Sequence, residues 1–298
     1  MGTRCYETKF RHRHPHPPPP HNNLRRSRLT PPEALVLPLF LLAACNPVDD
    51  TPPDLDALMH AAWAAWDAPG PLDDLALDLD AVIDQDNLPK DGQRGNPSRL
   101  TPPEIASLPL EHDPDPALAR GISLVHRFPC ADLDTLAAVL SHPDQDAIYG
   151  DYDTYLRTFD ADRDAFLDHL TDRLTWTAEA TASNLALGAY EQTLIGGLRR
   201  LPLTADHPFS EDAFLLARTF LPTPAITQRD NVSFDQDYQI EVYLPLPGGD
   251  ILHVYGIWRQ ITMGLLGDME SDTVANVILT NLAGWDRKTS EACAAGVP

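Results

Sequence analysis

From residue 54 to 68, Leu55, Leu58, Met59, Ala62, Trp63 and Trp66 recur three and four positions apart, between Pro52-Pro53 and Pro69-Gly70-Pro71. That spacing predicts an amphipathic helix punctuated by proline at both ends. Leu75, Leu79 and Val82 predict a second helix over 72–83. Residues 87–99 read as loop, with Pro89, Gly92, Gly95 and Pro97. Thr101-Pro102-Pro103-Glu104 predicts a helix start, with Thr as cap, Pro in the first turn and Glu three positions after the cap. Residues 54–118 are therefore expected to form a small helical region packed on the rest.

The pattern changes near residue 119. Gly121 to Phe128 suits a strand, Asp132 to Leu140 a short helix, and 146–170 further helical or irregular segments. Strand-like runs follow at 174–183, 189–201 and 214–221. The clearest pair, 238–244 and 251–263, flanks Pro247-Gly248-Gly249-Asp250, a hairpin turn. Val274, Val277, Ile278, Asn281, Leu282 and Trp285 then mark a long amphipathic helix over 274–292. This order of elements over 119–293 resembles the helix-grip (START-like) fold. The resemblance implies an α+β domain in which a curved antiparallel sheet wraps a long C-terminal helix around a cavity. The rival is a cone-shaped α+β fold of the NTF2 type, which usually ends in strands.

Charge narrows the partners. The chain holds 22 Lys+Arg against 44 Asp+Glu, a formal net charge of -22. Seven of those basic and two of those acidic residues lie in the first 44, so 45–298 carries 15 against 42, or -27. Nucleic acid and anionic lipid head groups need clustered positive charge, so neither is an expected partner. A surface suited to high salt accounts for the excess; cation sites are the alternative.

Arg25, Arg26 and Arg28 precede an 11-residue apolar run, Ala34 to Ala44, too short to cross a membrane. The run ends in Leu42-Ala43-Ala44-Cys45. This segment resembles the lipobox of bacterial lipoproteins. The resemblance implies cleavage before Cys45, diacylglycerol on its thiol, and a cell-envelope location held by that lipid anchor. Two acyl chains suffice for stable anchoring. The polar, Pro-rich stretch 45–53 would be the tether. The segment before Arg25 is long for a signal peptide, and a later start, near Leu24, is expected.

Of the four cysteines, processing would remove Cys5 and lipidate Cys45. Cys130 and Cys293 would remain in an oxidising compartment, where a disulfide between them is expected; two separate buried thiols are the alternative.

Candidate chemistry is sparse. Asp160-Ala161-Asp162-Arg163-Asp164 has the spacing that opens a calcium loop, but Ala165 and Thr171 stand where the loop needs Gly and Glu, so a structural helix start is expected. Neither a metal set, a cofactor fingerprint nor a nucleophile–base pair can be named. Alternation along 251–263 places His253, Tyr255, Ile257, Arg259 and Ile261 on one face, and Glu241 and Tyr243 share a face of the partner strand. Turned inward, Glu241, Tyr243, His253, Tyr255 and Arg259 would be the ligand-binding groups of an apolar cup; turned outward, they would meet solvent. Two functions follow: an envelope lipoprotein that binds an apolar or amphipathic small molecule, or a non-catalytic structural or protein-interaction lipoprotein.

Overall fold

Gly248 and Gly249, both at positive φ (103° and 84°), close the turn that pairs 232–246 with 250–263 in one long antiparallel hairpin. The computed structural model describes residues 53–68, 89–184, 188–203 and 209–296; the expected 72–83 helix, the lipobox and the tether lie outside them. In chain order the elements are α1 (Pro53–Ala65), β1 (Arg94–Gly95), α2 (Pro102–Ile105), a 3-10 turn (Pro116–Leu118), β2 (Arg120–Pro129), α3 (Leu133–Leu140), α4 (Asp146–Tyr149), β3 (Thr154–Phe159), α5 (Arg163–Leu167), β4 (Arg173–Asn184), β5 (Gly188–Pro202), β6 (Ala213–Phe220), β7 (Ile226–Thr227), β8 (Val232–Leu246), β9 (Asp250–Met263), a second 3-10 turn (Gly264–Leu266) and α6 (Asp272–Ala295).

The nine strands among the described residues form one antiparallel sheet in the order β1-β2-β9-β8-β6-β5-β4-β3, with β7 on β5. α6 closes the chain and lies against this sheet, so the architecture is the expected α+β helix-grip arrangement. Strand period sorts each strand's residues between two cores. One face carries Ile122, Leu194, Leu198, Tyr243, Tyr255 and Ile257 towards α6. The opposite face carries Val125, Leu216, Tyr238, Ile240, Val254 and Trp258 towards α1.

Two glycines let α1 approach closely. A Cβ on Gly256 would stand 2.5 Å from Met59 Sδ, and one on Gly197 would stand 2.8 Å from the Trp66 ring. The end of α1 is held by Arg199, whose Nη1 donates to the carbonyls of Ala65, Trp66 and Ala68 at 2.7, 3.1 and 2.8 Å. A guanidinium at this end also opposes the negative pole of the helix.

Three expected elements differ in the structure. Arg94–Gly95, in the expected loop, pairs with β2, because that strand would otherwise be a free edge. Residues 154–159, expected as helical or irregular, form β3 on β4. Among the described residues of 54–118, α-helix is found in α1 and in α2, which is four residues long; residues 69–88 lie outside them. The buried stripe of α6 runs through Val274, Ile278, Leu282, Asp286, Thr289 and Cys293, while Asn281 is exposed and Trp285 only partly buried.

Asp162 accepts from the backbone N–H of Asp164 and Ala165 at 3.0 and 3.3 Å and so caps α5, the structural role expected for that acidic run.

Cys130, just past β2, and Cys293, in the last turn of α6, are joined by a disulfide with Cα atoms 5.3 Å apart. It fastens the end of the helix to the sheet.

Candidate functional site

Between α6 and the inner face of the sheet lies a cavity of about 660 Å³. Small inward residues leave room for it: Ala217 and Thr219 on β6. On α6, Ile278 and Leu282 line the space, while Gly284, two positions from both Leu282 and Asp286, sits at the open rim away from the buried stripe, where a Cβ would meet nothing within 4 Å. Glu241, Tyr243, His253, Tyr255 and Arg259 all line the cavity. The inward orientation is thus the one adopted, and His253 is only 2% exposed. A β-bulge at Phe234/Gln236 sets the phase: Phe234 points inward before it, and Asp237, Gln239, Glu241 and Tyr243 after it.

These polar groups fall into two networks. In the first, Asp286 of α6 accepts from His253 Nδ1 at 2.8 Å through one oxygen and from His126 Nδ1 at 2.9 Å through the other. His126 and His253 are register partners on β2 and β9. On its far side, His253 Nε2 lies 3.2 Å from Glu241 Oε2, at ion-pair distance but too bent for a hydrogen bond. Tyr243 stacks on the His253 ring at 4.1 Å and donates to Glu241.

Burial alone would drive the proton off His253, but the charge and hydrogen bond of Asp286, joined by Glu241, outweigh it and push its pKa up to about 9. Burial opposes the charged form of Asp286 too, yet the two histidines hold its pKa below the ordinary carboxylate value. The hydrogen bond to Asp286 likewise raises His126.

In the second network, Arg259 grips Asp237 through Nε and Nη2 at 3.0 and 2.8 Å. Gln239 donates to Asp237 at 2.5 Å and accepts from Tyr255 Oη at 2.7 Å. Burial penalises the Arg259 charge, but Asp237 more than compensates and raises its pKa. Burial also raises Tyr243 and Tyr255 well above the ordinary phenol value, so both are hydroxyl donors at neutral pH.

Sequence reasoning missed His126 and Asp286. A lone carboxylate on an amphipathic helix reads as solvent-facing, and only the β2–β9 register brings both histidines to it. It also missed Arg157, Gln192, Trp176 and Tyr190, which line the cavity from β3, β4 and β5.

On the other face of the sheet, Ser98 Oγ lies 2.9 Å from His60 Nε2, and His60 Nδ1 lies 2.5 Å from Glu104 Oε1. The order matches a nucleophile, base and orienting acid. Asp56, however, accepts from the Ser98 backbone N–H at 2.6 Å and stands 3.1 Å from its hydroxyl. A carboxylate beside the hydroxyl opposes a developing oxyanion, and it occupies the N–H that an oxyanion would need. The cluster is a clamp between α1 and the chain ahead of α2.

No protein-family model matches the chain, and no curated protein matches it. Among solved structures, it is similar to a STAR-related lipid transfer protein from Xanthomonas axonopodis, at 10% identity over 69% of this chain and 97% of that one, TM-score 0.37. It is also similar to the lipid transfer and protein localization domain of human StarD13, at 8% identity over 68% and 84%, TM-score 0.37. A third is the Zhui aromatase/cyclase from Streptomyces sp. R1128, at 10% identity over 60% and 96%, TM-score 0.38. At these scores the likenesses bear no functional weight.

Proposed function

We propose that this protein binds one amphipathic small molecule in the cavity under α6, and that lipid on Cys45 holds it at a membrane of the cell envelope. The cavity carries the first half of the reading. Its volume of about 660 Å³ lies in the range of small-molecule sites, and its walls mix aliphatic and aromatic side chains with fixed polar groups in about equal measure. Tyr149, Tyr152, Tyr190 and Trp285 supply aromatic surface, and the two networks supply polarity. The ligand therefore combines an apolar, ring-sized body with polar groups. The segment Leu42-Ala43-Ala44-Cys45 supports the second half.

The test is fluorescence titration with N-phenyl-1-naphthylamine, a neutral aromatic dye that brightens in apolar sites. The wild type is expected to bind one equivalent saturably, and Ala217→Phe, which puts a ring into the cavity from β6, to lose that binding while keeping its fold. Dye binding unchanged in Ala217→Phe would place the dye elsewhere and count against the reading.

A further inference from the structure

In the two networks only His253 Nε2 lacks a hydrogen bond, and it faces the Glu241 carboxylate at 3.2 Å; the β3–β5 wall offers its unpartnered atoms no such charge. Arg157 on β3 donates through Nη1 to the carbonyls of Leu140 and His142 at 2.8 and 3.2 Å, and through Nη2 to Tyr155 Oη at 3.3 Å. Trp176 packs against the guanidinium face, 3.9 Å from Cζ to ring centroid. Arg157 Nε is buried with no partner. Across β4, Tyr155 and Gln192 both stand opposite Ala180 in register, and Gln192 Oε1 is likewise buried and unpartnered.

The missing counter-ion is the telling feature. The chain has two acidic residues for each Lys or Arg. Arg199, Arg200, Arg218 and Arg259 each meet an aspartate. Arg157 has no carboxylate partner among the described residues and receives only carbonyl and hydroxyl dipoles. A buried, unsatisfied donor on a charged group is costly. Nη1 and the stacked Trp176 fix the guanidinium in place, leaving the Nε–Nη2 edge, the edge that meets a carboxylate side-on with two parallel hydrogen bonds.

We infer that the Arg157 edge is an anion subsite of the cavity that takes a carboxylate on the ligand, with the Gln192 amide oxygen accepting from a neighbouring ligand hydroxyl or N–H. This inference rests on the cavity reading above and narrows it to apolar carboxylic acids.

The experiment displaces N-phenyl-1-naphthylamine from the protein with a matched pair, 1-naphthylacetate and the neutral 1-naphthylacetamide. The overall charge of -22 would by itself make the anion the poorer ligand. The wild type is instead expected to bind the acetate about tenfold or more tighter than the amide, the size of a charge-assisted pair. Arg157→Met is expected to abolish that preference, read as the ratio of acetate to amide affinity, and Arg157→Lys to keep part of it.

Acetate and amide binding equally to the wild type, or a preference that survives Arg157→Met, overturns the subsite while dye binding leaves the cavity reading standing. Failure of the dye itself overturns both. Should Arg157→Met not fold, the wild-type comparison still decides.

Discussion

Asp286 of the C-terminal helix reaches into the sheet and receives the Nδ1–H of His253 at 2.8 Å. The contact ties α6 to β9 through two buried groups of opposite charge, and its strength depends on the proton on His253. The histidine pKa is raised from 6.5 to about 9, so its contribution to stability is fully present below pH 6.5 and is lost as pH rises through about 9. The aspartate is shifted the other way, and its contribution is lost as pH falls through its depressed value.

Thermal melts from pH 6 to 10 should therefore show Tm falling across pH 7–9. In Asp286→Asn, which removes the main partner of His253, the melt should start lower and change less with pH. A wild-type Tm that is flat over this window would show that His253 holds no extra proton in the folded state.

The disulfide joins positions 163 residues apart. Closing so long a loop removes much of the unfolded chain's freedom, worth about 3–5 kcal/mol in the chain-entropy model. Reduction, or Cys130→Ser with Cys293→Ser, is expected to lower the urea midpoint by a corresponding amount. Loss of dye affinity should accompany it, because the end of α6 is then free to lift from the sheet.

Gly284 sits in the interior of a 24-residue helix with open space beside it. Gly284→Ala should stabilise the protein by about 1 kcal/mol, the helix-propensity difference, as read by chemical denaturation. The methyl group would stand off the buried stripe of α6, so dye binding should be retained.

The strands and the last helix were legible because their signals are strong: 251–263 is a long run rich in β-formers after a hairpin turn, and the apolar repeat from Val274 to Trp285 holds for about three turns. β3 was not, because an edge strand beside short helices gives too few alternations to outweigh its polar residues. The inward set Glu241, Tyr243, His253, Tyr255 and Arg259 was legible as a face, but not which way that face turned. Deciding that required α1 on the other side, where Trp63 and Trp258 pack edge to face. Arg157 carried no sequence signal: its meaning lies in a carboxylate that is missing, which only the fold reveals.

The anchor makes a separate prediction. Expressed in a bacterium that processes lipoproteins, the chain should sediment with membranes, and its mature mass should begin at Cys45 with diacylglycerol added. Cys45→Ala should move it to the soluble fraction. A soluble wild type that keeps residues 1–44 would remove the anchor while leaving the cavity untouched.

Native mass spectrometry of the full chain, purified without detergent, tests the central claim most directly. The account expects a bound small molecule at one per chain, released on denaturation, and absent from Ala217→Phe prepared in parallel. Wild-type protein that flies only at its own mass and gains none when offered apolar carboxylic acids would contradict it.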